Sequence, residues 1–326
     1  MPLEKSRKRK SARKPDPRGP ARADPNVAVE IAGVRLSHPD KVLYPDEGVT
    51  KRDLAQYYVA VAAAMLPHLR DRPLTMVRCP SGPAKTCFYQ KHPSEGAFGP
   101  LQRVAIAEKE GRGTYLIAND LPGLIALVQM DVLEIHLWSA TRRSLERPDR
   151  VIFDLDPDEG LAWERVGAAA LTLRTLLAEM GLDSFIKATG GKGLHVVLPI
   201  APRYGWDEIK LFARGVAQDL ARRAPAEFTA TLSKAARRGK IFIDYLRNQR
   251  GATAIAPYSA RAKPTAPVAM PLAWAEVEQG WHSDRFTVKT LPDWQERLRR
   301  DPWNGFFALK QRLPASILRR LRAAGK

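Results

Sequence analysis

An apolar run that ends in two acids, Arg-Val-Ile-Phe-Asp-Leu-Asp-Pro at residues 150 to 157, leaves little choice of backbone. Val151, Ile152 and Phe153 favour a strand, whose alternation sets Asp154 and Asp156 on one face and Phe153 and Leu155 on the other. The two carboxylates are expected to meet solvent together while their neighbours enter the core. Like charges this close raise one another's pKa unless a cation lies between them. A hard divalent ion resolves the conflict: Mg²⁺ takes one or two carboxylates plus substrate phosphates, and paired ions sit about 3.5–4 Å apart. A solvated strand end is the plainer alternative for Asp-x-Asp alone.

Charge narrows the choice. The chain carries 53 Lys and Arg against 35 Asp and Glu, a net charge of +18 with pI near 10.1, which points to an anionic polymer, nucleic acid first. A basic surface that serves only solubility is the other reading. Nine Lys or Arg and three acids fall in residues 1 to 24, with Pro15, Pro17 and Pro20 and almost nothing apolar, so a disordered basic arm is expected there. The remaining 302 residues form one large or two medium domains. Cys79 and Cys87 imply neither a disulfide framework nor a zinc site, and a reducing cytoplasm is the expected compartment. No apolar run of about 18 residues occurs, so neither secretion nor membrane spanning is expected.

Val27 to Leu36 reads as a hairpin about Gly33, and Thr50 as the cap of a helix that stops near Leu66, before Pro67. Lys41 and Lys51 flank the connection, either as solvated charges or as a grip on a terminal phosphate. A strand at Leu74 to Cys79 leads through a loop to Phe88 and Tyr89, beside Lys85, Lys91 and His92. This grouping suits base stacking with phosphate contacts, though for Phe88 alone core packing is slightly favoured. Val132 to Trp138 alternates, with His136 on the face of Glu134; a lone His is more often structural than catalytic. Helices are expected at Leu161 to Met180, Trp206 to Arg223 and Leu291 to Arg300, with a basic packing helix after Leu309. Between two short strands lies Thr189-Gly190-Gly191-Lys192-Gly193, followed by His195. It is a tight turn or an anion nest, without the spacing of a P-loop. After basic residues that include Arg237, the strand Ile241 to Tyr245 places a third acid, Asp244, near a strand end, with Arg247 following.

Five stretches, Asp-Lys-Val-Leu-Tyr-Pro (40 to 45), Thr-Lys-Arg-Asp-Leu-Ala-Gln-Tyr-Tyr (50 to 58), Phe-Asp-Leu-Asp-Pro (153 to 157), Gly-Gly-Lys-Gly-Leu-His (190 to 195) and Ala-Pro-Tyr-Ser-Ala-Arg (256 to 261), together resemble the polymerase domain of bacterial DNA ligase D, a branch of the archaeo-eukaryotic primase superfamily. The resemblance implies an α/β primase-like core over residues 25 to 300, with an RRM-like sheet and a second α/β lobe around a cleft, and a basic tail over 301 to 326. By resemblance, Asp154, Asp156 and Asp244 hold two Mn²⁺ or Mg²⁺ ions, and His136 acts near the nucleotide. Thr189, Gly190, Gly191, Lys192, His195, Arg247 and Arg261 cradle an NTP or dNTP. Lys41 and Lys51 meet a 5′-phosphate at a DNA end or gap. Phe88 and Tyr89 stack on the template, with Lys91 and Arg237 also on DNA.

Thr189 stands where the family usually has Ser, and Tyr89 where Phe is common; both keep the needed chemistry. The implied activity is extension of primer 3′ ends and gap filling at double-strand breaks in non-homologous end joining, with ribonucleotides preferred, in the cytoplasm at the bacterial nucleoid. Ku and a DNA ligase are open as partners. A Lys-x-Asp-Gly adenylation motif is absent, so sealing falls to another domain or protein. The absence of a Cys-rich zinc element argues against de novo priming. A non-catalytic DNA-end scaffold, a primase and a metal nuclease are the competing readings.

Overall fold

Short strand-forming runs interrupted by turn residues give this chain several small sheets, two of which position the site. The structure, a computed structural model, describes residues 28–80, 82, 86–93, 99–280 and 285–324. The expected arm over 1 to 24 and Lys85 lie outside the described residues.

Two ribbons come first: β1 (Val29–Ile31) with β2 (Val34–Leu36), and β3 (Val42–Tyr44) with β4 (Val49–Thr50). Thr50 caps α1 (Lys51–Leu69) through a reciprocal box, its hydroxyl accepting from Asp53 N at 3.2 Å while Asp53 Oδ2 accepts from Thr50 N at 2.8 Å. The helix does not stop before Pro67, as expected, but runs through it to Leu69. Pro67 and Ala63 lie on the exposed face, where the carbonyl orphaned by the proline is open to water, while His68 and Leu69 are buried and hold the last turn in place.

Next come β5 (Leu74–Arg78), β6 (Phe88–Gln90), the hairpin β7 (Gln102–Glu108) with β8 (Gly111–Ile117), α2 (Leu121–Gln129) and β9 (Val132–Trp138). Cys79 and Cys87 are joined as a disulfide, contrary to the sequence reading. They follow Arg78 and precede Phe88, which face each other across β5 and β6, so the hairpin itself brings their Cα atoms to 4.4 Å. The chain continues with β10 (Arg150–Pro157), α3 (Trp163–Glu179), β11 (Phe185–Ala188), β12 (Leu194–Pro199), α4 (Trp206–Arg223), β13 (Phe228–Thr229), β14 (Ile241–Asp244), β15 (Thr253–Ile255) and β16 (Pro271–Leu272). It ends with α5 (Trp274–Glu278), α6 (Leu291–Trp294) and α7 (Ala315–Ala324). The single helix expected from Leu291 to Arg300 is split, tightening into a 3₁₀ turn over Gln295–Arg299. Trp294 turns inward to donate to Thr287 O at 3.2 Å and Arg297 is drawn to Glu276, which together break the α-helical course.

The six-stranded sheet has the order β13-β14-β10-β12-β11-β16, and the four-stranded sheet β15-β9-β5-β6. On one face of the larger sheet, Phe153, Leu155, Leu194 and Ile243 share a buried cluster with Leu173 and Leu177 of α3 and Phe212 and Val216 of α4. Each such side chain contributes about 1.5–3 kcal/mol by leaving water. The other face divides. Ile152 and Val197 pack on Ala254 of β15 under Trp303 and Phe306, closing the seam between the sheets, whereas Asp154 and Asp156, further along the same strand, open into a cleft. The basic tail helix packs as expected: Leu321 of α7 fills the space above Gly215 of α4, where a Cβ would approach it to 2.5 Å.

Candidate active site

Register assembles the site. Across β14, β10, β12 and β11, Asp244 faces Asp154, Asp154 faces His195, and His195 faces Lys187, so four ionisable side chains form one row on the cleft side of the sheet. Asp154 is 8% exposed, not solvated as its strand pattern suggested. Its partners come from distant segments: Arg247 Nε at 3.1 Å and His195 Nε2 at 3.4 Å. Burial pushes its carboxyl up, but the His195 and Arg247 contacts outweigh that and hold it well below the usual range. Asp244 is shifted the other way, raised by burial and by the Asp154 charge against the pull of Arg247, whose Nε lies 3.4 Å away. Asp156 stands apart and half-exposed, with Lys192 at 3.6 Å and Arg237 at 3.7 Å. Arg237 also lies over the Phe242 ring, 3.6 Å from its centroid. Burial lowers the His195 imidazole to about 4, and its Nδ1 is buried without a partner.

The turn between β11 and β12 is closed by Thr189, whose N and Oγ1 both donate to Gly193 O, at 3.1 and 3.0 Å. Its glycines have different causes. Gly190 has φ +68° and is pressed against Arg261 and Val268, and a Cβ on Gly193 would sit 2.6 Å from Leu155 O. Both are required by the protein's own packing, although Gly193 also lines the cleft; Gly191, beside the Lys263 ammonium, borders it free of such a backbone clash. Gly193→Ala is therefore expected to push β10 and β12 apart and to cost about 2 kcal/mol, within the range for overpacking. A thermal melt within 1 °C of the parent would contradict this.

Glu134 organises the opposite wall. It is 5% exposed, and its Oε2 accepts from His136 Nε2 at 2.7 Å while its Oε1 accepts from Arg261 Nε and Ala262 N, both at 2.9 Å. Burial raises this carboxyl, but the His136 hydrogen bond and the Arg261 guanidinium more than offset it, leaving about 2. An ionised carboxylate only accepts, so Nε2 of His136 carries the proton and Nδ1 is left as an acceptor. Burial keeps the imidazole neutral against the pull of Glu134. Arg261 also donates through NH1 to Thr189 O at 2.5 Å, tying this wall to the turn.

These groups line a cleft of about 500 Å³. It brings together Asp154, Asp156, Asp244, His136, Thr189, Gly191, Lys192, His195, Arg237, Arg247, Arg261 and Tyr89, and five cationic side chains there outnumber three carboxylates, the balance a polyphosphate needs. A larger hollow of about 760 Å³ near α5 sets Arg297, Arg299 and Arg300 against Glu276, Glu296 and Asp301, with Arg297 paired to Glu276 and Arg299 to Glu296, and offers no such surplus.

Five expected residues do not line the cleft. Gly190 lies behind it. Lys41 and Lys51 converge on Asp131 instead, at 2.8 and 3.1 Å, and Lys51 is buried and also donates to Gln129 O. Phe88 is half-exposed beside Arg78, and Lys91 is exposed just after β6. Tyr89, 71% exposed, stands edge-on to His136, 5.9 Å between ring centroids. Sequence reasoning missed Lys263 and the anchoring role of Glu134. The last had a signal, an acid at alternate spacing from His136 inside an apolar strand.

Among the described residues, no three of His, Cys, Asp and Glu converge on one point as a metal cage. The expected three-acid grip is half built: Arg247 stands in for a cation between Asp154 and Asp244, while Asp156 turns to Lys192 and Arg237. The donors nonetheless fit a hard divalent ion. They are all carboxylate oxygens, and two of them face each other with one raised by burial and, less, by the other's charge.

A basic cleft with strand-borne carboxylates on its floor and a glycine turn on its rim defines an α/β enzyme of the nucleotidyltransferase class. The chain belongs to the LigD primase-polymerase domain family, whose model matches residues 50–303. It is 39% identical over 291 residues to the multifunctional non-homologous end joining protein LigD of Pseudomonas aeruginosa, covering 89% of this chain and 35% of that one. The LigD of Mycolicibacterium smegmatis is 38% identical over 246 residues, covering 75% and 32%. This chain thus spans about a third of the length of these relatives. The polymerase domain of Mycobacterium tuberculosis ligase D, solved in complex with DNA, superposes with a TM-score of 0.78 at 34% identity, over 85% of this chain and 99% of that one. The resemblance read from the five motifs and the expected α/β primase-like architecture are both borne out. No helix of the described residues is long and apolar enough to cross a membrane.

Proposed function

We propose that this chain extends primer 3′ ends and fills short gaps at DNA double-strand breaks during non-homologous end joining, preferring ribonucleotides. The observation that carries the reading is the register that sets Asp244 and His195 on either side of Asp154, beside the Lys192 turn in a basic cleft. Asp154, Asp156 and Asp244 would hold Mn²⁺ or Mg²⁺, which when bound neutralise the triphosphate and favour in-line attack by the primer 3′-OH. Lys192, Arg261 and Lys263 hold the phosphates as point charges and a planar fork. His136, fixed by Glu134, presents Nδ1 as an acceptor, and Tyr89 offers an exposed ring to the template base. Arg247 and His195 keep Asp154 ionised at neutral pH.

Primer extension on a 5′-phosphorylated gapped duplex, with rNTPs against dNTPs and Mn²⁺ against Mg²⁺, tests this. Binding without extension would leave a scaffold, and primer shortening without nucleotide would leave a nuclease. The DNA partner is a gap or end bearing a 5′-phosphate, held where Lys41 and Lys51 now share Asp131. Removing that phosphate is expected to weaken gap binding about tenfold, the scale of one charged hydrogen-bonding contact. In Lys41→Ala the two ends should bind alike, and a fluorescence-anisotropy titration that still separates them would discard the pocket. Ku is the partner we expect at the break, with sealing by a separate ligase domain or protein, in the cytoplasm at the nucleoid.

A further inference from the structure

Eleven buried residues line a much smaller hollow, of about 20 Å³, on the seam between the two sheets. Two of them are cations. Lys187 is 2% exposed and its ammonium has three donors, of which one meets Ile255 O at 2.5 Å. No carboxylate of the described residues lies within ion-pair distance of it. Arg150, 5% exposed, shares its one carboxylate, Asp149, with Arg72. Burial pulls the Lys187 ammonium well below its usual range, so its charge persists there only beside a counter-charge, and among the described residues Arg150 and Arg72 already share Asp149. Asp154, the nearest other carboxylate to act on Lys187, is already held by Arg247 and His195 on the cleft side. Trp138 also lines the cavity, and its Nε1 is buried with no partner.

A buried positive surplus is costly unless it is compensated. The space exceeds the roughly 10–15 Å³ that one water-sized species needs. We propose that this cavity binds a single monatomic anion of chloride size between Lys187 and Arg150, a site separate from the catalytic cleft and independent of its assigned function. The anion supplies the missing counter-charge and holds the seam closed behind Ile255, which lines the cleft as well.

Bromide replaces chloride and scatters anomalously, so crystals of the whole chain soaked in bromide should show an anomalous peak between Lys187 and Arg150. A water peak without anomalous signal, or an empty cavity, overturns the proposal. In solution, bromide should raise the melting temperature by about 2–4 °C per tenfold increase over gluconate at equal ionic strength. Lys187→Met, close in shape and uncharged, should lose that increment. An equal rise in both salts, or an undiminished increment in the variant, overturns the site. If Lys187→Met does not fold, the bromide peak in the parent protein decides alone.

Discussion

Asp154→Asn is expected to lower the rate of nucleotide addition about 10³-fold, the order seen when a preorganised charge is removed from a reacting centre. The substitution keeps volume and strand register but removes the one carboxylate that faces both Asp244 and His195. Arg247, released from Asp154, retains Asp244 at 3.4 Å, so the fold should survive and the loss should fall on chemistry. Single-turnover primer extension at saturating nucleotide, with a parallel melt, separates the two effects. A rate within tenfold of the parent would remove Asp154 from the machinery. Adding Asp244→Asn should cost little more, because residues that act as one unit are not additive.

Glu134→Gln is expected to be nearly as damaging, by a different route. An amide offers one oxygen where the carboxylate offers two, yet donors approach from both sides: His136 on Oε2, Arg261 and Ala262 on Oε1. Whichever way the new amide turns, an N–H meets an N–H. If the oxygen stays with Arg261, His136 must move its proton to Nδ1 and present a donor to the cleft in place of an acceptor. The carboxyl's descent from its ordinary 4.5 to about 2 corresponds to about 3 kcal/mol. Because the folded-state value is depressed, that contribution is complete above about pH 4.5 and is lost as pH falls towards 2. The melting-temperature gap between parent and variant should be flat from pH 5 to 8 and narrow in acid. Nucleotide KM should rise at least tenfold; an unchanged KM would reduce Glu134 to a core residue.

Strand periodicity and capping chemistry made most elements legible, because each rests on neighbours within a few residues. The carboxylates were legible for the same reason, as acids ending apolar strands. What was not legible came from long-range pairing. Asp154 reads as solvated until Arg247 arrives from 93 positions later, and Lys41 and Lys51 read as free until the α2–β9 connection supplies Asp131. Gly190 and Gly193 look like ligand glycines, yet it is Arg261, Val268 and Leu155 that exclude their side chains. The Cys79–Cys87 pairing depends on a hairpin register that cysteine counting cannot see.

Arg261 joins Glu134 of one sheet to Thr189 at the edge of the other, and Lys187 reaches from the larger sheet to Ile255. Neither half of the molecule owns a complete set of reactive groups, so alignment depends on the joint itself. Warming should misalign the halves before it unravels either one, and polymerase turnover should fade several degrees below the loss of far-ultraviolet ellipticity.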